Sequence, residues 1–307
     1  MYEGHDGMEF VGKVYDGRLK KPVTGYGVLF TGFPTQAGFA FYDSSLYSNT
    51  YMNANPEDFG SMNELEYQTI ERLEGIYPAE EILFIGDSHF SAKNTLDWLK
   101  NEKKMDFLMR IDSDINVTYK DEWGNVIKEA ERIKNKQIVY WKEKDGEKIK
   151  CEAVYFECNL FFEKSKKYLN VTIIYLKPIN WKNRNKPMIL VTTLTVNDKD
   201  LQEIVDLYKY RWQIETGIEY LKQKFGLEKI MLQHWEAIKC MIFFVLWTSL
   251  ILFICFKILL KVEILKELIT NFTVLKNNEL TWGKIIWFYS ELYYGELAPL
   301  KNIDKFI

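Results

Sequence analysis

From Cys240 to Phe256 the chain runs for seventeen residues without a charge. A helix of that kind must be hidden from water, either inside a protein or, at about 17–25 residues, across a membrane. The run lies at the short end of the spanning range, has Thr248 and Ser249 at its centre, and is flanked by amphipathic sequence. It reads as a buried core helix, with no membrane partner expected, and the rest of the chain must supply the surfaces that cover it.

The composition can supply them. Of 307 residues, 47% are apolar and 27% charged, which suits a globular protein and excludes a collagen-like or disordered one. No period of about 20–50 residues recurs, so a solenoid or propeller is excluded. The four cysteines (Cys151, Cys158, Cys240, Cys255) form no C-x-x-C pair and have no neighbouring His to complete a zinc pattern. Reduced thiols and a cytoplasmic location are expected, because Met1-Tyr2-Glu3-Gly4-His5 carries no export signal.

The net charge of −3 conceals an uneven distribution. Between Glu131 and Pro187 there are 14 Lys/Arg against 7 Asp/Glu, a local +7 that leaves −10 for the remainder. That block is suited to meet an anion.

Extended stretches are read at Met8–Asp16, Tyr26–Phe33 and Phe39–Tyr47, divided by turn residues. Ser61-Met62-Asn63-Glu64 is a capping box that opens a helix closed by Gly75 and Pro78. Ile82–Ile85 is a continuous apolar run, the pattern of a strand buried on both faces, and it ends in Gly86-Asp87. A helix near Ala92–Glu102 and a buried strand at Phe107–Ile111 follow. Three strands, helix, strand, helix, strand is the order of an α/β, ribonuclease-H-like core. Stretches at Gln137–Tyr140, Ala153–Cys158 and Leu169–Leu176 alternate as an antiparallel insertion does, and Ile189–Val196 returns to a buried strand. Everything after Asn197 reads as helical. The expected organisation is a first core part at 1–115, a basic β-rich insertion at 116–187, a second core part at 188–260 and a helical C-terminal extension at 261–307.

The densest signal is Leu207-Tyr208-Lys209-Tyr210-Arg211-Trp212-Gln213-Ile214-Glu215, continuing to Lys222. On one continuous helix at about 100° per residue, Tyr208, Arg211, Glu215 and Lys222 share a polar stripe roughly 60° wide. Leu207, Ile214, Ile218, Leu221 and Phe225 form the adjoining apolar stripe. Taken alone, Arg211 and Glu215 are an ordinary i,i+4 pair worth a few tenths of a kcal/mol, about 0.3–0.5. Asp87, taken alone, would equally serve as a helix cap for the segment that follows it.

Tyr208-x2-Arg211-x3-Glu215-x6-Lys222 resembles the Y-x2-R-x3-E-x6-K signature of D-D-E insertion-sequence transposases, in the branch called insertion-sequence family four. Leu190-Val191-Thr192-Thr193-Leu194 and the strand ending in Asp87 are similar to the same family, and the resemblance extends over about residues 8–260. It implies a catalytic core in which Asp87 and Glu215 hold two divalent cations, Mg²⁺ or Mn²⁺. It also implies that Tyr208, Arg211 and Lys222 hold DNA phosphates, a task suited to an Arg fork and a Lys point charge. The partners implied are the element's terminal repeats, target DNA and a second copy in a synaptic homodimer.

The family's first Asp has no clear match. Asp16-Gly17-Arg18 resembles it in part, with Arg in place of a hydroxyl residue; Asp6 is a second choice; a position upstream of Met1, making the chain N-terminally truncated, is the third and fits best. Family members also stack a flipped base on an insertion-domain Trp, for which Trp123, Trp141 and Trp181 qualify.

Overall fold

The computed structural model describes residues 2–3, 7–16, 20–35, 38–58, 61–74, 77–144, 147–162, 166–179, 186–197, 200–229 and 232–259. Asp6, Trp181 and the extension at 261–307 lie outside them, as does the side chain of Asp16.

In chain order the elements are β1 (Tyr2–Glu3), β2 (Gly12–Asp16), β3 (Lys21–Thr35), β4 (Gly38–Tyr47), α1 (Asn49–Ala54), α2 (Met62–Glu74), β5 (Leu83–Gly86) and α3 (Lys93–Asp97). There follow β6 (Asp106–Ile111), β7 (Asn116–Tyr119), β8 (Glu122–Asn125), α4 (Val126–Arg132), β9 (Gln137–Lys144), β10 (Glu147–Phe162), β11 (Lys167–Pro178), β12 (Met188–Thr192), α5 (Leu201–Lys209), α6 (Arg211–Lys224) and α7 (Trp235–Leu259). They gather into two compact units, one running up to Ile70 and resuming at Trp212, the other Glu71–Arg211.

The first unit is built on the long strand β3. It pairs antiparallel with β2 through its first part (Gly12↔Gly25 to Asp16↔Lys21) and with β4 through its second (Gly27↔Tyr47 to Thr35↔Gly38). The strand starts at Lys21, five residues before the expected Tyr26, because much of the Gly/Pro-marked gap is paired backbone. Ser48 caps α1, accepting the Tyr51 N–H at 3.0 Å while donating to the Phe10 carbonyl at 2.6 Å.

Helix α7 covers this sheet with one face. Trp235, Ile238, Ile242 and Leu246 recur at helical spacing and are buried with Tyr26, Phe39, Phe41 and Leu46. Its N-terminus is fixed by Glu9, whose carboxylate accepts the Trp235 N–H at 2.8 Å and whose own N–H bonds the Gln233 carbonyl at 2.8 Å. The Tyr51 ring stacks on Trp235 with centroids 4.1 Å apart. The opposite face of α7 is exposed at Phe243, Phe244, Trp247, Ile251 and Ile254, so the uncharged run is only half core. Trp235–Leu252 is the one stretch among the described residues long and apolar enough to cross a membrane.

The second unit is an eight-stranded mixed sheet in the order β5-β6-β12-β11-β10-β7-β8, with β9 also paired to β10. Only β5 and β6 run parallel; every other pairing is antiparallel. The antiparallel strands from Asn116 to Pro178 thus continue the sheet that β5, β6 and β12 begin. At the centre, Phe107, Leu108, Met109, Ile173, Ile174, Leu190 and Val191 are fully buried. Strand β5 differs from its expected setting. It occupies a sheet edge and is half-buried rather than enclosed on both faces.

Candidate functional site

Asp87 follows the last residue of β5, where the chain leaves the sheet. Its Oδ1 accepts the His89 N–H at 2.9 Å, and its carbonyl accepts the Phe90 N–H at 3.2 Å, so the carboxylate is held in a tight turn. It caps no helix: α3 begins at Lys93 behind Ala92. The parallel register ends at Gly86↔Met109, one residue short of Asp87 on one strand and Arg110 on the other.

At the opposite end of β6, level with the start of β5, two threonines lock it to β12. Thr192 donates to the Phe107 carbonyl at 2.7 Å, and Thr193 donates to Asp106 Oδ1 at 2.7 Å while accepting the Phe107 N–H at 3.1 Å. Lys100 adds a 2.6 Å ion pair to Asp106. Burial raises the Asp106 pKa, but the bonds from Lys100 and Thr193 outweigh it and hold the carboxyl below its ordinary value.

The run that carries the signature is two helices rather than one. Helix α5 stops at Lys209 and α6 starts at Arg211. Between them the Tyr210 N–H reaches the Leu207 carbonyl at 3.1 Å, a tighter i→i+3 closure. The uniform stripe expected for Tyr208, Arg211, Glu215 and Lys222 is broken there, and Tyr208 is buried instead of solvated. No Gly or Pro marks the break.

Tyr208 stacks on Trp141 of β9, with centroids 5.9 Å apart and planes at 24°. The Arg211 guanidinium carbon lies 5.8 Å from the Tyr208 ring centre. Burial pushes the Tyr208 pKa up; Arg211 and Arg110 pull against it, and the Asp87 charge adds to the rise. The phenol therefore stays protonated at neutral pH and can donate a hydrogen bond. Asp87, Arg110, Tyr208 and Arg211 are thus electrostatic neighbours in one unit. Arg110 escaped the sequence reading. Its signal was a single Arg inside the otherwise apolar strand Phe107-Leu108-Met109-Arg110-Ile111.

Helix α5 is pinned to the β9 edge through Tyr140. Gln202 accepts its N–H at 2.8 Å and donates to its carbonyl at 3.1 Å, and Lys209 donates to the same carbonyl at 2.9 Å. A helix side chain here occupies the bonding positions that a further strand would take.

Glu215 and Lys222 belong to the other unit. Glu215 is exposed on α6, two residues before the buried Gly217. A Cβ at Gly217 would lie 2.8 Å from the Phe41 ring, so a residue without a side chain lets α6 rest on β4. Gln213 accepts the Thr35 N–H at 3.2 Å and ties the first turn of α6 to the end of β3. Lys222 pairs with Glu228 at 2.7 Å. Burial raises the Glu228 pKa, but the Lys222 hydrogen bond and charge, followed by the chain's N-terminal amine, more than offset this and hold the carboxyl below its ordinary value.

Of the tryptophans, Trp141 is buried against Tyr208, whereas Trp123 is 55% exposed with its ring edge-on to Phe161. Asp16 closes β2 opposite Lys21. Among the described residues no three His, Cys, Asp or Glu side chains cluster as metal ligands would. Asp87 in one unit and Glu215 in the other each carry a hard oxygen donor of the kind that suits Mg²⁺.

Residues 55–251 match the family described as "Transposase DDE domain". No curated protein matches the chain. The mixed α/β sheet with its flanking helices is the architecture of a ribonuclease-H-like DDE core.

Proposed function

The chain belongs to the DDE-domain transposases, and from that premise we propose that it cuts and rejoins DNA at the ends of an insertion sequence. The observation that carries this reading is the grouping of Asp87 with Tyr208, Arg211 and Arg110. One phenol thus feels the charge of a carboxylate at a strand end and of two guanidinium groups suited to grip phosphate.

In this reading Asp87 and Glu215 would hold the divalent cations. The ions, when bound, supply an activated water and neutralise charge on the attacking and leaving oxygens. The chain's own residues do the rest. Arg211 and Arg110 orient the phosphate, and the buried Tyr208, stacked on Trp141, backs the Arg211 guanidinium with its ring. Lys222 would exchange its Glu228 partner for a phosphate oxygen when DNA arrives. Lysines of the basic block at 131–187 would follow the DNA backbone, and Trp123 is exposed enough to take an unstacked base. The Tyr-Arg-Glu-Lys spacing supports a place in insertion-sequence family four, whose members would act in the cytoplasm as synaptic homodimers.

A second reading, a DNA-binding remnant without cleavage activity, fits the lack of a three-ligand cluster among the described residues.

Supercoiled plasmid and duplexes carrying the inverted repeats that flank the gene, incubated with Mg²⁺ or Mn²⁺, test both readings. The expected result is salt-sensitive binding and strand cleavage that requires Asp87 and Glu215. Binding without cleavage, even after the frame is extended upstream, establishes the remnant. Cleavage that survives Asp87→Asn and Glu215→Gln overturns the site.

A further inference from the structure

Helix α7 carries two apolar seams on opposite sides. One, Trp235-Ile238-Ile242-Leu246, is sealed against the sheet of its own unit. The other is Cys240, Phe244, Trp247, Ile251 and Ile254, all exposed, spaced four, three, four and three residues apart. Alternating steps of four and three are the heptad seam by which one helix packs along another. A solvated helix face has no reason to keep that spacing with aromatic and branched side chains. Phe243 flanks the seam, its ring 5.7 Å from that of Trp247.

We infer that this seam is a homodimer interface, in which α7 packs antiparallel against α7 of a second copy about a two-fold axis near Trp247. Three aromatic rings and two isoleucines, each about half exposed, present on the order of 500 Å² of apolar surface per copy. A pair that covered all of it would bury ~1,000 Å², the lower bound for a specific interface. A patch of that area is also near the upper limit of what a monomer leaves in water.

An antiparallel arrangement also opposes the two helix dipoles. An isologous contact of this kind closes on itself and leaves no open surface to propagate.

A membrane fits less well. Spanning would pull Trp235, Ile238, Ile242 and Leu246 out of the unit's core. Lying on a bilayer calls for basic residues beside the apolar face, whereas Lys239 is already paired with Glu236 at 3.0 Å.

The inference names the surface for the pairing proposed for synapsis and rests on that part of the reading alone. Its test uses the full chain without DNA, so its failure and the failure of the cleavage proposal are distinguishable. Sedimentation velocity should show a dimer for the native chain and a monomer for Trp247→Glu. Unchanged circular dichroism and melting temperature would show the variant folded, and Phe244→Ala with Trp247→Ala, a milder pair, should weaken association at least tenfold. With Cys255→Ser as background, Ile254→Cys should form an oxidative cross-link between copies to Cys240, which the antiparallel register sets opposite it. A monomeric native chain, a dimer indifferent to these substitutions, or capture of the chain by phosphatidylcholine–phosphatidylglycerol vesicles would each overturn the inference.

Discussion

The signature run from Tyr208 to Lys222 ends one compact unit and begins the other, and its two halves are held by different physics. In the unit Glu71–Arg211, Tyr208 is sealed by ring stacking on Trp141 and surrounded by Arg110, Arg211 and Asp87. In the unit that resumes at Trp212, Glu215 stands in solvent on a helix positioned by a glycine against an aromatic ring, and Lys222 is occupied by an acid. The first half is pre-organised by burial. The second is positioned by its backbone and carries its chemistry exposed. Substitutions in the first half should therefore disturb stability and chemistry together, while those in the second can remove chemistry and leave the fold intact.

The largest expected effect separates the halves by activity. Asp87→Asn and Glu215→Gln should each lower Mg²⁺-dependent cleavage by about 10²–10³, the loss expected when a charge-stabilising group leaves an active site. Glu215→Gln should alter stability by no more than about 0.5 kcal/mol, the range usual for an exposed side chain. Cleavage kinetics beside thermal melts of the same preparations make the comparison, and a folded but fully active Glu215→Gln would break it.

Next in size is the seat of α6. A helix-interior Gly→Ala replacement ordinarily gains about 1 kcal/mol. At Gly217 the new methyl would stand 2.8 Å from a Phe41 ring that is itself buried with Phe39 and Leu46. Overpacking of that kind costs about 1–3 kcal/mol and should win. Gly217→Ala is expected to lower stability in urea titrations and to reduce cleavage by moving Glu215. A stabilised variant would show that α6 has room to move and is not held by this contact.

Arg110→Ala should have a smaller, purely electrostatic effect. Arg110 is exposed, so the fold should tolerate the change, while DNA binding weakens and the slope of log affinity against log salt falls by about one. Binding titrations at several salt concentrations read both quantities. An unchanged slope would remove Arg110 from the DNA-facing set.

The sequence made the local elements readable where one or two residues set them. The Ser61 hydroxyl accepts the Glu64 N–H at 3.3 Å, as the capping box requires, and α2 starts at Met62. The buried strand at Phe107–Ile111 is in place because its apolar character is continuous. Other features depend on contacts from far along the chain. The break at Tyr210 has no Gly or Pro to announce it; Tyr208 leaves the polar face because Trp141, sixty-seven residues earlier, supplies a ring to stack on. The uncharged run gave its helix correctly but not its two-sidedness, since hydropathy counts charges and cannot see that one seam faces β4 and the other water. Within the candidate site, residue types were readable. The division between two compact units was not, because it falls inside a run of unbroken helical propensity.

The smallest expected effect concerns pH, and it makes the two units alike. Each holds one carboxylate below its ordinary value with a lysine: Asp106 with Lys100 at 2.6 Å in one, Glu228 with Lys222 at 2.7 Å in the other. A carboxyl with a depressed folded pKa adds stability that is present above its unfolded value and is lost as pH falls through the folded value. Both contributions are therefore intact at neutral pH and fade in the acid range below the ordinary 3.8 of Asp and 4.5 of Glu. Glu228→Gln should lower the melting temperature slightly at pH 7, and the difference from the native chain should vanish toward the acid end. Asp106→Asn should show the same closing gap from a larger starting value, because Thr193 also bonds that carboxylate at 2.7 Å. DNA gives the two pairs opposite fates. If Lys222 turns to phosphate, bound DNA should reduce the Glu228 contribution and leave that of Asp106 intact, so equal responses of the two variants to DNA would show that Lys222 keeps its acid partner.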